Sequence, residues 1–506
     1  MSTLKLTLTA IDNKKFNIYA DDYGLEESEL PFANNSENSQ FYAIINALNN
    51  TSDEYSHKTN DDIKNWMIEE RFLKQNGNQL HEQMRENIGR KLYTALFPKT
   101  IEKALHQNCK SGEDLHIQIK YDFREIGKSN LSMYPWNLVH DGIDFLAKRQ
   151  ITFSYRIDYP DTPKPGKRQI DKLKVLVISS QAFENNQGQL QNQEPVISNS
   201  LKKAQDEGRA CLLSWYEPQR QRPTFKVLRE YFTDHYKEAD KLPDIIHFNG
   251  HGVFQDKLGF LLFEDEQGQP DYISAEEFAD LIEICNPKPQ VIVITACKAA
   301  LAHKSDSVFN GVAQKLLQQV PAVVATPFSI SQESTTDFID QIYRVLGNGR
   351  SSLLEAVKFA SKAMKHKEYE WYRLVLFLRH NGDEDGYLFE VQETPQQLFN
   401  QNNRELEASD IETLKDLVKR CRIITSNRIV RENFCQYIGI EIDDISPDSV
   451  AGLGDNLFIE TLLNYLQKTD NKSAFYKICV KIKPHFESSV KLTNKLQIIK
   501  SKVMQT

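Results

Sequence analysis

Between residues 170 and 390 the chain alternates short, near-continuous apolar runs with longer amphipathic ones, and this alternation restricts the fold more than any other feature. The runs at 173–178 (LKVLVI), 245–248 (IIHF), 291–294 (VIVI), 322–325 (AVVA) and 374–378 (LVLFL) are apolar at almost every position. Strands covered on both faces read this way. Between them, Phe225, Leu228 and Phe232 recur at helical spacing behind Thr224, a predicted N-cap. Val308, Val312 and Leu316 do the same, as do Phe338, Ile342, Val345 and Leu346. Strand, helix, strand, helix predicts an α/β fold built on a mostly parallel sheet with helices on both faces.

The flanks read differently. Residues 1–160 combine a helical pattern at 92–97, a strand-like run at 115–121, and an aromatic anchor with a turn at 135–146 (PWNLVHDGIDFL), which is again α/β composition. Residues 158–168 hold three prolines and a glycine, so neither a helix nor a central strand continues through them. Amide side chains replace apolar periodicity at 393–403. Beyond that break, Leu414, Leu417, Val418 and Cys421, then Phe458, Ile459, Leu462, Leu463 and Leu466, lie on helical faces and predict a small all-α bundle. The expected division is 1–160, 170–392 and 405–506. The polar stretches 34–40 and 184–194 read as surface loops, and no repeat has a fixed period.

Composition removes several function classes. A chain of 506 residues with 40% hydrophobic and 26% charged residues has the make-up of a globular protein. A formal charge of −8 offers no general attraction to a phosphate backbone, so nucleic acid is disfavoured as a partner. Seven scattered cysteines without a C-x-x-C pair point to a reducing compartment. Charges at Lys5 and Asp12 break any apolar leader, and the apolar runs are far shorter than the roughly 20 residues of a membrane helix. A cytoplasmic protein without a membrane partner is the expectation.

Open α/β sheets bind ligands beyond the carboxyl ends of their strands. After the run 245–248 comes Asn249-Gly250-His251-Gly252, where glycines let the backbone turn sharply and approach a ligand. After 291–294 comes Thr295-Ala296-Cys297-Lys298, so neighbouring strands would deliver an imidazole and a thiol, 46 positions apart, to one sheet edge. A free thiol with a pKa of about 8.5 is little ionised at neutral pH, and a nearby imidazole helps form the thiolate and later protonates the leaving amine. Backbone N–H groups of Gly252 and Cys297 would receive the oxyanion. Taken singly, Cys297 and His251 read as core residues; their joint placement is what favours chemistry. His247 reads as a strand residue. His247 and His251 have the H-x-x-x-H spacing of zinc ligands, but without the glutamate of H-E-x-x-H, and no metal or cofactor is expected. A phosphate loop and a G-x-S-x-G elbow are missing from the sequence.

These residues resemble a family. Residues 244–252 (DIIHFNGHG), the Thr295-Ala-Cys297 strand end, 309–317 leading into 321–325, and 338–349 followed by 354–357 look like a CHAT domain, a caspase-like cysteine peptidase of clan CD related to separase. Residues 135–142 and 145–147 match the family's upstream tryptophan motif, so the resemblance spans about residues 80–390. It implies a caspase-hemoglobinase-like peptidase domain preceded by a non-catalytic, pseudo-protease-like α/β layer. It also implies Cys297 as nucleophile, His251 as general base and acid, and a protein or peptide substrate. The caspase signature has Gln before and Gly after its Ala-Cys core, whereas Thr295 and Lys298 stand here, so preference for aspartate is not carried over. Ser329, Ser331 and Glu333 are candidates for a substrate pocket, with a plain helix cap as the alternative.

The helical tail is polarised: residues 401–467 carry 7 basic and 12 acidic groups, and 468–506 carry 9 lysines and 2 acids. Solvated faces explain this, as does charge-complementary docking. Residues 431–440 and 442–445 resemble the effector-associated, death-fold-like adaptor domains of bacterial conflict systems. That resemblance implies homotypic contact with an adaptor or sensor through 405–506 and a role in bacterial immunity or stress signalling, with a gasdermin-like pore former as a conceivable substrate. The alternative is a catalytically inert scaffold that assembles a signalling complex.

Overall fold

Each apolar run of the central region forms a strand, and each has at least one parallel neighbour reached by a long-range connection. The computed structural model describes residues 2–32, 39–50, 52–109, 114–122, 131–158, 168–182, 190–217, 221–255, 258–296, 308–328, 330–349, 351–364, 370–379, 386–391, 408–421, 427–445, 454–469, 471–486, 492, 495–496 and 499–500. Cys297, Ser329, most of the 158–168 linker and the whole of 393–403 lie outside the described residues.

The chain begins with β1 (Ser2–Ala10), β2 (Lys15–Ala20) and β3 (Gly24–Glu29), then α1 (Gln40–Asn49), α2 (Asp61–Glu69), α3 (Met84–Leu96) and α4 (Lys99–Asn108). Next come β4 (Leu115–Asp122), β5 (Ile151–Asp158), β6 (Arg168–Ile170), β7 (Leu173–Ser179), α5 (Glu194–Asp206), β8 (Ala210–Leu213) and α6 (Phe225–His235). The strands β9 (Ile245–Gln255), β10 (Leu258–Glu264) and β11 (Pro270–Ser274) precede α7 (Ala275–Glu283), β12 (Val291–Ala296), α8 (Val308–Leu316) and β13 (Ala322–Ala325). The first unit closes with α9 (Gln332–Leu346), α10 (Leu353–Ala363), β14 (Val375–Leu378) and β15 (Phe389–Val391).

Thirteen of these strands share one sheet, in the order β11-β10-β9-β12-β13-β14-β5-β4-β1-β2-β3, with β7 beside β9 and β8 beside β7. Two parallel sets meet in its interior: β8, β7, β9, β12 and β13 on one side, and β14, β5, β4 and β1 on the other. The antiparallel pair β13/β14 joins them. The strands of residues 2–158 and of 173–378 therefore share one hydrogen-bonded layer inside one compact unit, Met1–Gln392.

Side-chain hydroxyls start four of the helices of this unit, α6, α7, α9 and α10. Thr224 Oγ1 accepts the Val227 N–H at the start of α6, as its sequence predicts. Ser274 and Glu277 form a reciprocal capping box on α7. The Pro135-Trp136-Asn137 motif is a clamp. Trp136 is fully buried against Phe16 and Tyr134, and its Nε1 donates to the Leu131 carbonyl at 3.2 Å. Asn137 Nδ2 donates to the Tyr372 carbonyl, just ahead of β14, so one motif of the first 160 residues holds a strand at the middle of the sheet.

The second unit, Glu393–Thr506, is helical among the described residues. It contains α11 (Ala408–Cys421), α12 (Arg428–Ile438), α13 (Ile442–Ile445), α14 (Asp455–Lys468) and α15 (Lys472–Ile482) around Leu414, Leu417, Phe434, Phe458, Leu462 and Phe475. Arg431 is fully buried, with its guanidinium 4.6 Å from the centre of the Phe458 ring and Nη2 at 3.1 Å from Asp455 Oδ1. Gly439 follows α12 at φ 86°, the left-handed conformation in which glycine ends helices without a Cβ penalty.

Candidate active site

The strands β9 and β12 run parallel in a register that pairs Val291 with Ile245, Thr295 with Asn249, and Ala296 with Gly250. His251 follows Gly250 in β9, and Cys297 follows Ala296 in the sequence. At His251 the partner of β9 on its other edge changes. Asn249 is the last residue of β9 paired with β7, and from His251 onward β10 takes that edge in antiparallel register, pairing Leu262 with His251 and Leu261 with Gly252. The sharp turn expected at Asn249–Gly252 is therefore a straight strand that exchanges one neighbour for another. Gly250 serves close packing: a Cβ there would come within 2.5 Å of the Phe248 ring.

Strand alternation sorts the residues of β9 onto two faces. Phe248 joins an aromatic cluster with Phe263, which in turn touches Phe225 and Phe278. His247, Asn249 and His251 take the opposite face. His251 is 7% exposed at the end of this row, at the margin of the core. Gly252 beyond it is half-buried.

His247 is more than the plain strand residue its sequence suggests. It is fully buried, and burial holds its imidazole down to about 3, so it is neutral at any working pH. Its Nε2 lies 2.7 Å from Gln193 Oε1 and its Nδ1 2.9 Å from the Tyr343 hydroxyl. An amide oxygen can only accept, so Nε2–H donates to Gln193 and the Tyr343 O–H donates to Nδ1. Thr295 Oγ1 donates to the same Gln193 oxygen at 2.7 Å. Both ring nitrogens of His247 are thus engaged, and neither is left to ligate zinc. No local pattern announces this network, because it joins β9, β12, α9 and the residue before α5; two apolar-flanked polar residues at strand positions, His247 and Thr295, are the one sequence signal.

Among the predicted pocket residues, Ser331 caps α9 by accepting the Ser334 N–H, and its hydroxyl donates to the buried Glu370 carboxylate at 2.6 Å. Glu333 is exposed in the first turn of α9. The described cysteines Cys109, Cys211, Cys285, Cys421, Cys435 and Cys479 are free thiols. Burial pushes Cys285, Cys435 and Cys479 up to about 12 and Cys421 to about 11, which leaves them poor nucleophiles. Among the described residues no three His, Cys, Asp or Glu side chains cluster as metal ligands, and no helix is long and apolar enough to cross a membrane.

The architecture is similar to several solved proteases. One is the Arg-specific cysteine proteinase gingipain R, at 12% identity and a TM-score of 0.37 over 65% of this chain and 74% of that one. The Drosophila initiator caspase Dronc matches at 13% identity and a TM-score of 0.27, over 46% of this chain and 96% of the caspase. The Saccharomyces cerevisiae separase–securin complex matches at 11% identity and a TM-score of 0.36, over 75% of this chain and 30% of that chain. No curated protein sequence matches the chain. The CHAT domain model matches residues 86–400, which include the tryptophan clamp, the whole of β9 and β12, and both helices that follow β13. The chain belongs to the CHAT domain family.

Proposed function

We propose that this protein is a caspase-like cysteine endopeptidase in which Cys297 is the nucleophile and His251 the general base and acid. The observation that carries this reading is the register of β9 and β12, whose last pair, Ala296 and Gly250, directly precedes both residues. Alternation supports it as well. Thr295 and His247 share a face, with Thr295 Oγ1 3.3 Å from His247 Nε2, and Cys297 and His251 follow them by two and four positions, both even steps.

In the proposed reaction His251 takes the thiol proton and the Cys297 thiolate forms a C–S bond to the scissile carbonyl carbon. The N–H groups of Gly252 and Cys297 hold the resulting oxyanion. Collapse breaks the C–N bond while the imidazolium protonates the leaving amine, and water then hydrolyses the thioester, again through His251. Ser329, Ser331 and Glu333 are proposed to form a further wall of the substrate cleft, since they follow β13, the neighbour of β12.

In this reading residues 1–160 are a pseudo-protease-like layer, 170–392 the peptidase, and 405–506 an adaptor-like module that recruits the enzyme by homotypic contact. The opposite charges of its two sequence halves suit such docking. A cytoplasmic effector of bacterial immunity, cutting a protein such as a gasdermin-like pore former, is the role that follows. A thiol-directed activity probe tests the chemistry. Labelling of the wild type but not of Cys297→Ala or His251→Ala supports the peptidase; equal labelling of all three identifies a scaffold instead.

A further inference from the structure

A groove of about 1010 Å³ lies at the carboxyl end of β7, and its position is set by topology. β8 lies on one side of β7 and β9 on the other, so successive connections leave the sheet in opposite directions and a crevice opens between them. The groove lies beside His251 on two counts. Ser179, in its wall, pairs with Asn249, two residues before His251. Glu264, also in its wall, stands two residues beyond Leu262, the register partner of His251, a strand distance of about 7 Å. Ser179 Oγ lies 3.3 Å from Asn192, and Asn249 Nδ2 donates to the neighbouring Gln191 carbonyl at 2.9 Å.

Glu264 is the chemical centre of the groove. Its side chain is 7% exposed, Oε1 accepts the Gln181 N–H at 2.9 Å, and Oε2 accepts Arg222 Nη1 at 2.8 Å. A carboxylate can accept about four hydrogen bonds, and two are given by the described residues, which leaves room for a further donor. The Arg222 side chain is 52% exposed, and an ion pair with so wet a partner is readily exchanged. The other lining charges are Lys226 and Glu266, which pair with each other at 3.1 Å, and Glu230. Among the described residues, carboxylates therefore outnumber cations in the lining.

We propose that this groove receives an arginine or lysine side chain of the peptide substrate, with Glu264 as the specificity-determining carboxylate and Arg222 as the internal cation that competes with it. The inference rests on the peptidase reading and adds to it a substrate class and a selecting residue. The two groove residues act with opposite sign. Removing Glu264 removes the attraction, and removing Arg222 removes the competitor.

Peptide acyloxymethyl ketones that differ only in an Arg, Lys, Leu or Asp side chain next to the reactive carbonyl test this on the full chain, with Cys297 labelling followed by intact mass. In the wild type the Arg and Lys compounds are expected to react at least ~10-fold faster than the Leu and Asp compounds, the size of one charge-assisted contact. Glu264→Gln, which keeps the shape and the Gln181 contact, is expected to bring the Arg:Leu rate ratio below about 3, and Arg222→Ala to raise it above the wild-type value. An unchanged ratio in Glu264→Gln, or fastest labelling by the Asp compound, overturns the groove assignment and leaves the peptidase reading standing. Failure of every ketone to label the wild type overturns the peptidase reading, and the groove assignment with it.

Discussion

The two parallel halves of the large sheet carry the same joint and differ in what lies beyond it. In the first half, His116 on β4 is fully buried with its Nε2 2.6 Å from Ser154 Oγ on the neighbouring β5. In the second, His247 on β9 lies 3.3 Å from Thr295 Oγ1 on the neighbouring β12. The registers agree as well: Gln118 pairs with Ser154, and Asn249 pairs with Thr295. Two positions further on, the first half has Lys120 paired with Arg156. The second half has His251 and, in sequence, Cys297. An arginine does not exchange its proton and a lysine is a poor nucleophile at neutral pH, so under the proposed peptidase reading only the second half carries groups suited to acyl transfer. In that reading the fold supplies the joint, and two side chains beyond it supply the chemistry.

If the first half serves as support, its largest lesion is loss of stability. Trp136→Ala empties a fully buried indole site that touches Phe16 and Tyr134, and about 3–5 kcal/mol of unfolding free energy is expected to disappear, read from the denaturant midpoint. A loss below about 1 kcal/mol would mean that the tryptophan motif does not hold the sheet. The second half has its own signature in acid. The folded chain holds His247 down to about 3, while the unfolded chain takes up a proton near 6.5. As pH falls from about 6.5 toward 3, the unfolded state therefore binds a proton that the folded state refuses, and stability drops on the order of 1.4 kcal/mol per pH unit from this group. His247→Gln, which can keep a polar contact to Gln193 or Tyr343, is expected to flatten that part of the profile; an identical slope would show that His247 is not buried as a neutral base.

Much of this architecture is readable in the sequence because it is local. Runs such as 291–294 and 322–325 have the pattern of covered strands, and the Thr224 hydroxyl before Phe225 marks a helix start. The expected constellation of His251 and Cys297 follows from what stands directly after two such runs. The union of both halves in one sheet is not readable, because the pairing of β14 with β5 joins residues 377 and 155 through contacts that leave no periodic trace. The same holds for Gln193 under His247 and for Glu264 behind Arg222, each of which depends on distant segments. Glycines flanking His251 suggest a turn, yet Gly250 is small because the Phe248 ring lies against it.

Smaller substitutions sharpen the contrast between the halves. Ser154→Ala and Thr295→Val each leave a buried polar partner short of one contact and are expected to cost about 1–3 kcal/mol. Only Thr295→Val should also lower kcat against a peptide substrate more than its loss of stability explains, since Thr295 stands two residues before Cys297. Equal kcat in the two variants would remove the distinction. Ser274→Ala, which breaks the capping box of α7 away from both joints, is expected to cost about 1 kcal/mol and to leave peptide cleavage unaltered.

The decisive measurement is the pH dependence of alkylation at Cys297, followed peptide by peptide in the wild type and in His251→Ala. If imidazole and thiol form a working pair, Cys297 alkylates in the wild type well below the ordinary thiol midpoint of about 8.5, and His251→Ala moves the midpoint back up to it. Superimposable profiles in the two proteins would contradict the pairing.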